Sequence, residues 1–194
     1  VGFYALNFAK RVGTTGKVYA FEPSPDLAQK FKKNIQLNNY DRIIEIHQLG
    51  VCDKIGFSLF ALSPNQNSGW GHLCTDEQFS TNEQFNQTIA IQTDTLDNFF
   101  EEKQINTVKF MKVDIEGAED KLIEGAKKVL HEKRVKHIYM EFCTMSATET
   151  LSRIEKLASF GYFPEKKDKA VLDKMCKDDL FSRSLVENFL FSCK

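Results

Sequence analysis

A chain of 194 residues with 42% hydrophobic and 12% aromatic content can bury one sizeable core, while two domains would be cramped, so a single domain over residues 1–194 is expected. The formal net charge of −1 creates no field that would gather nucleic acid or an anionic membrane, which favours a small-molecule partner. No apolar run approaches the roughly 20 residues of a membrane span. The five cysteines are scattered, without a Cys-x-x-Cys pair, which points to reduced thiols in a cytoplasmic setting and away from structural zinc.

Taken in chain order, Ala5, Phe8, Ala9 and Val12 recur at helical spacing and predict a helix over residues 3–12, stopped by Gly13. Residues 18–21 read as a short strand. Ser24 is placed as an N-cap with Pro25 at the first helical position, and Leu27, Phe31 and Ile35 line one face of a helix that runs to Asn38 and Asn39. Residues 43–49, 57–62 and 88–93 are strand candidates. Between the last two lies a polar stretch, residues 63–87, and a loop of that length is usually functional. Residues 108–113 predict a strand, 118–130 a helix, 136–142 a strand, 148–160 a helix ended by Gly161, and 188–192 a last strand.

This alternation predicts an α/β fold, a doubly wound and mostly parallel sheet with helices on both faces. Residues 18–21, 43–49, 108–113 and 137–141 are expected as parallel strands of one sheet, with the last residues as an antiparallel edge. Ligands bind such sheets beyond the carboxyl ends of the strands. Three of these ends carry a carboxylate: Glu22, Asp114 and Glu141. Glu22 can accept hydrogen bonds from the vicinal hydroxyls of a ribose, or simply cap the strand end. Lys112 and Asp114 share a face of their strand, and Glu116 and Gly117 follow where the chain bends toward the next helix. Glu116 and Glu119 also suit the first turn of a helix. Carboxylates gathered at one rim repel each other unless a ligand, metal or proton compensates. In the polar stretch, glycines flank Trp70, which can stack on an acceptor or plug the core, and His72 follows. His47, His131 and His137 read as structural or solvated.

The segments VGFYALNFAK, VYAFEPSPDLAQKFKKNIQLNN, GVCDKIG, NSGWGHL and VKFMKVDIEGAE, in this order, resemble the FkbM family of S-adenosylmethionine-dependent methyltransferases over about residues 1–142. The resemblance implies a Rossmann-like class I methyltransferase core, S-adenosylmethionine as cofactor, and methyl transfer usually to a hydroxyl of a sugar or another small molecule. By position it implies cofactor contacts from Gly2 and Phe3, from Glu22 and Pro23 at the ribose, from Leu49, Gly50 and Val51 around the adenine, and from Lys112 and Asp114. Trp70, His72 and Glu141 are candidates for the acceptor side, and Asp114, Glu116 and His72 for the base; in the less favoured branch Asp114 and Glu116 instead hold a divalent cation of the magnesium, calcium or manganese type, and no zinc site is expected. Family members place a strand and an Asp-x-Gly-x-Asn segment before the residues equivalent to Val1 and Gly2, so the central strand is expected upstream of residue 1. Two other readings stay open. One is a nicotinamide-dependent oxidoreductase, weakened because its Tyr162 and Lys166 spacing follows a helix stop and spans Pro164. The other is a non-catalytic binding domain that keeps the fold.

Overall fold

The computed structural model of the chain describes residues 1–62, 71–73, 88–144, 147–165 and 185–193. These gather into two units, Val1–Val51 with Ile55–Asp94, and Cys52–Lys54 with Thr95–Lys194.

In the first unit, helix α1 (Phe3–Val12) ends at Gly13, whose φ of 68° is open to glycine and awkward for other residues. Strand β1 (Val18–Phe21), helix α2 (Pro25–Leu37) and strand β2 (Ile44–His47) follow. β1 and β2 pair in parallel, with Val18 opposite Ile44 and Phe21 opposite His47. Alternation turns Val18, Ala20, Ile44 and Ile46 toward one face, where they pack with Ala5, Ala9, Phe31 and Ile35. Two expected core positions lie further out: Val12 is exposed and Leu27 half-buried, because the inner face of α2 is Ala28, Phe31 and Ile35. Gly2 stands at the start of α1 with φ 79°, and a Cβ there would run into the Phe31 ring. A second sheet has the order β3-β6-β4-β5, from β3 (Gly50–Val51), β4 (Gly56–Ala61), β5 (His72–Leu73) and β6 (Thr88–Asp94). β3 runs parallel to β6, and the other pairs are antiparallel.

The second unit is built on a sheet ordered β7-β8-β10-β9, from β7 (Val108–Val113), β8 (Val135–Thr144), β9 (Tyr162–Pro164) and β10 (Leu185–Cys193). β7 and β8 are parallel, whereas β10 is antiparallel to both β8 and β9. Helices α3 (Leu96–Glu102), α4 (Glu119–Glu124), α5 (Lys127–His131) and α6 (Ala147–Ser159) complete it. Its core includes Val113, Ile123, Val129, Ile138, Met140, Leu157, Phe189 and Phe191.

Several expectations are corrected. The four parallel strands form two ladders in two sheets, β1 with β2 and β7 with β8, because among the described residues neither β1 nor β7 has a ladder partner on its other edge. The antiparallel edge is β9, with β10 inside the sheet; Pro164 cannot donate to a ladder and suits an edge. The single helix over 118–130 is broken at Gly125. The Gly125 carbonyl accepts the Asp97 N–H at 3.0 Å, and its bare α-carbon faces the Cys52 carbonyl so closely that a Cβ would collide with it. Asp97 then restarts the chain as α5, accepting the Lys128 N–H at 3.0 Å and the Val129 N–H at 2.8 Å. Helix α3, not expected from the sequence, starts at Thr95, whose hydroxyl accepts the Asn98 N–H at 3.1 Å. Ser24 holds the N-cap position of α2 without a side-chain capping bond.

Asp97→Ala is expected to lower stability by about 0.5–2 kcal/mol, the usual loss of a helix N-terminal acceptor. Gly125→Ala is expected to lower it further, since backbone must shift to admit the Cβ, an overpacking cost of about 1–3 kcal/mol before any helix propensity is regained. Urea unfolding followed by circular dichroism ranks the two.

Candidate functional site

Glu22 leaves the carboxyl end of β1, where its N–H still donates to the His47 carbonyl at 3.0 Å. Its Oε1 accepts the Ser24 N–H at 2.9 Å and so ties the turn into α2. Among the described residues Oε2 has no hydrogen-bond partner. Burial pushes the Glu22 carboxyl up from its ordinary 4.5, against the lowering effect of the Ser24 bond. One oxygen is therefore structural, and the other is a half-buried acceptor at a strand end, the kind of group to which a ribose hydroxyl can donate. Gly2 has a packing reason of its own, the Phe31 ring, while Phe3 is 71% exposed and Pro23 half-buried. Gly50 and Val51 are buried as β3, and Leu49 is half-buried just before them.

In the second unit the rim beyond β7 is a charge cluster. Lys112 stands opposite Tyr139, with its ammonium 5.5 Å from that ring. Its side chain is only 8% exposed, and its Nζ lies 3.0 Å from Asp114 Oδ2 and 3.7 Å from Glu141 Oε2. The predicted common face of Lys112 and Asp114 is thus present. Glu141 does not end its strand: β8 continues to Thr144 because β10 extends the ladder. The last β7 pair is Val113 with Met140, so Glu141 still lies one residue past the end of β7. Glu116 follows at φ 49° and Gly117 at φ 95°. Burial, then the charges of Asp114, Glu141 and Glu119, push the Glu116 carboxyl up, with Lys112 opposing them.

Glu119 stands in the first turn of α4, as its position in the sequence suggests, while Glu116 lies before the helix. Glu119 is wholly buried, its Oε1 accepts the Gly117 N–H at 2.9 Å, and its Oε2 lies 3.0 Å from Arg153 Nη1 without hydrogen-bond alignment. No spacing in the sequence marks it, because its partner Arg153 lies on a separate helix, α6. His72 lies on the two-residue strand β5, opposite Ala61. Trp70 and Lys166 lie outside the described residues. Tyr162 is locked in the core, its hydroxyl donating to the Val135 carbonyl at 2.6 Å and pushed up to about 12 by burial, so it offers no proton at a surface. Among the described residues no group of three or more His, Cys, Asp or Glu is placed to hold a metal ion, and no helix is long and apolar enough to cross a membrane.

Residues 1–164 match the family model of the methyltransferase FkbM domain. The chain belongs to that family. It is similar to a curated protein named Methyltransferase 1 from Beauveria bassiana (strain ARSEF 2860), 24% identical over 155 residues that cover 74% of this chain and 61% of that protein. Its fold is similar to the crystal structure of methyltransferase FkbM from Methylobacillus flagellatus KT, with a TM-score of 0.54 at 15% identity over 96% of this chain and 40% of that one. The FkbM chain thus spans less than two thirds of the length of each relative.

A raised carboxyl contributes stability that is complete below its unfolded value and is lost as pH rises through its higher folded value. Glu22→Gln, which removes the charge and keeps the shape, is therefore expected to gain stability relative to the parent between pH 4 and pH 7, the window around and above the ordinary 4.5. Denaturant midpoints of both proteins at the two pH values check this; an equal difference at both would mean that Glu22 carries no folding-linked proton.

Proposed function

We propose that this chain carries the core of an S-adenosylmethionine-dependent methyltransferase that acts on a hydroxyl of a sugar or another small molecule. The observation that carries the reading is the rim beyond β7, where Lys112 clasps Asp114 and Glu141 while Glu116 beside them has a raised proton affinity. Lys112 orients Asp114, and the Glu116 carboxyl with its raised proton affinity stands beside it, so these two are the candidate bases for the acceptor proton. Glu141 contacts the acceptor on the same face. Bound S-adenosylmethionine would supply an already activated methyl group, so orientation is the protein's main contribution, about 7–11 kcal/mol at best.

Glu22 would hold the ribose through Oε2 while Oε1 stays with Ser24. Gly2, Phe3, Pro23, Leu49, Gly50 and Val51 belong to the same proposed cofactor set, together with Lys112 and Asp114; His72 and Trp70 are kept for the acceptor side. The reading also takes residues 1–194 as one domain in a cytoplasmic setting. An oxidoreductase is disfavoured by the buried, bonded hydroxyl of Tyr162.

Calorimetric titration with S-adenosylhomocysteine tests the cofactor half. Glu22→Ala is expected to weaken binding by about 10- to 150-fold, the loss of one charge-assisted bond. Equal affinity would leave Glu22 as a strand-end cap. Methyl transfer to a panel of sugars and small alcohols tests the other half. Asp114→Asn is expected to lower turnover by about 10²- to 10⁴-fold, with cofactor affinity measured alongside. Unchanged turnover would remove Asp114 from the chemistry.

A further inference from the structure

Glu119 is a costly residue to place where it stands. Burying a carboxylate is unfavourable, and a buried ion pair is often no more stable than an apolar pair of the same volume. Glu119 is nonetheless 0% exposed at the first position of α4. Its two oxygens serve different elements: Oε1 takes the Gly117 N–H, and Oε2 faces Arg153 of α6. The neighbouring residue is anchored to the same helix face, with Arg153 Nε donating to Asp120 Oδ2 at 2.7 Å and Lys156 Nζ to Asp120 Oδ1 at 2.5 Å.

Before this anchor the backbone passes through two consecutive left-handed residues, Glu116 and Gly117. The α-carbon of Gly117 faces open space, so glycine is present there for its backbone freedom. Glu116 has no such freedom, and a residue of its kind stays left-handed only where its surroundings over-determine it. Among the described residues, Glu119 supplies the only side-chain hydrogen bond to this turn.

We infer that Glu119 is a positioning residue: clamped by Arg153, it holds the Gly117 amide and so fixes the Glu116 side chain at the rim beside Asp114 and Glu141. The electrostatics agree, since both of those carboxylates act on Glu116, as they do only on a group held within their reach. The inference rests on the methyl-transfer reading for what Glu116 does once held, but the holding itself is read without cofactor or acceptor.

The discriminating variant is Glu119→Asp, which keeps a negative charge for Arg153 while withdrawing the oxygen from Gly117 by one methylene. The full chain, labelled with ¹³C-glutamate and assigned by Glu116→Gln, reports the Glu116 titration directly. In Glu119→Asp its midpoint is expected to fall toward the ordinary 4.5, and the Gly117 amide to exchange at least about tenfold faster, beyond any change in global stability. Asp120→Asn loosens the tie to α6 without touching Gly117, and both readings are expected to stay at their parental values. An unmoved Glu116 midpoint in Glu119→Asp, or the same shift in Asp120→Asn, overturns the proposal. Should Glu119→Asp fail to fold, the parent protein decides: the Gly117 amide is expected to exchange about 100-fold more slowly than the Glu116 amide, and equal exchange overturns the proposal as well. Neither readout involves methyl transfer, so a protein that binds no S-adenosylhomocysteine sinks the proposed function and leaves these results standing.

Discussion

The buried carboxylate of Glu119 is the constraint on which the second unit turns. It sits where three things meet: the end of β7, the start of α4 and the inner face of α6. Its charge is compensated by Arg153, itself 7% exposed, and Arg153 and Lys156 share Asp120. Glu119 and Arg153, both buried, would each be costly without the other, whereas Asp120 and Lys156 are partly exposed. The rim residues Lys112, Asp114, Glu116 and Glu141 are then displayed from a strand end and a turn that have little room to relax.

Around this constraint the unit is organised by ordinary sheet physics. Lys112 and Tyr139 stand opposite each other on one face of β7 and β8, and Val113 and Met140 are buried on the other. The antiparallel partner β10 carries Phe189 and Phe191 into the core against Phe142. On the helical side, Asp97 and Gly125 break what the sequence writes as one helix into two, and Arg134 reaches Glu101, the Asn106 carbonyl and the Ile105 carbonyl beside the Phe100 ring. Backbone groups freed at the break are taken up by Asp97, as burial requires.

The first unit illustrates how a residue can have both a structural and a chemical reason to be present. Gly2 is required by the Phe31 ring and by its own left-handed backbone, whatever it does for a cofactor. Glu22 uses one oxygen for the turn into α2 and keeps the other at the strand end. Read from sequence, these are rival explanations. The geometry lets both hold, because a carboxylate has two oxygens and a glycine needs only one reason to lack a side chain.

What the sequence by itself determined is what local patterning controls. The periodicity of Ala5 and Ala9, the Pro25 start, the Gly13 and Gly161 stops, and the apolar runs at Val18–Phe21 and Val108–Val113 each specify an element from within a few neighbouring residues. The carboxylates at strand ends, Glu22 and Asp114, were legible for the same reason, and so was the Lys112 face, since strand alternation is a local rule. Only the tertiary structure decided which strands share a ladder, that β10 runs inside its sheet with the short strand β9 at the edge, and that Gly125 splits a helix against the Cys52 carbonyl. It also decided that Glu119 is buried. Residue 119 and residue 153 carry no mark of each other along the chain; their pairing depends on how α4 and α6 pack, and long-range burial, unlike helix or strand periodicity, has no spacing by which it can be read in sequence.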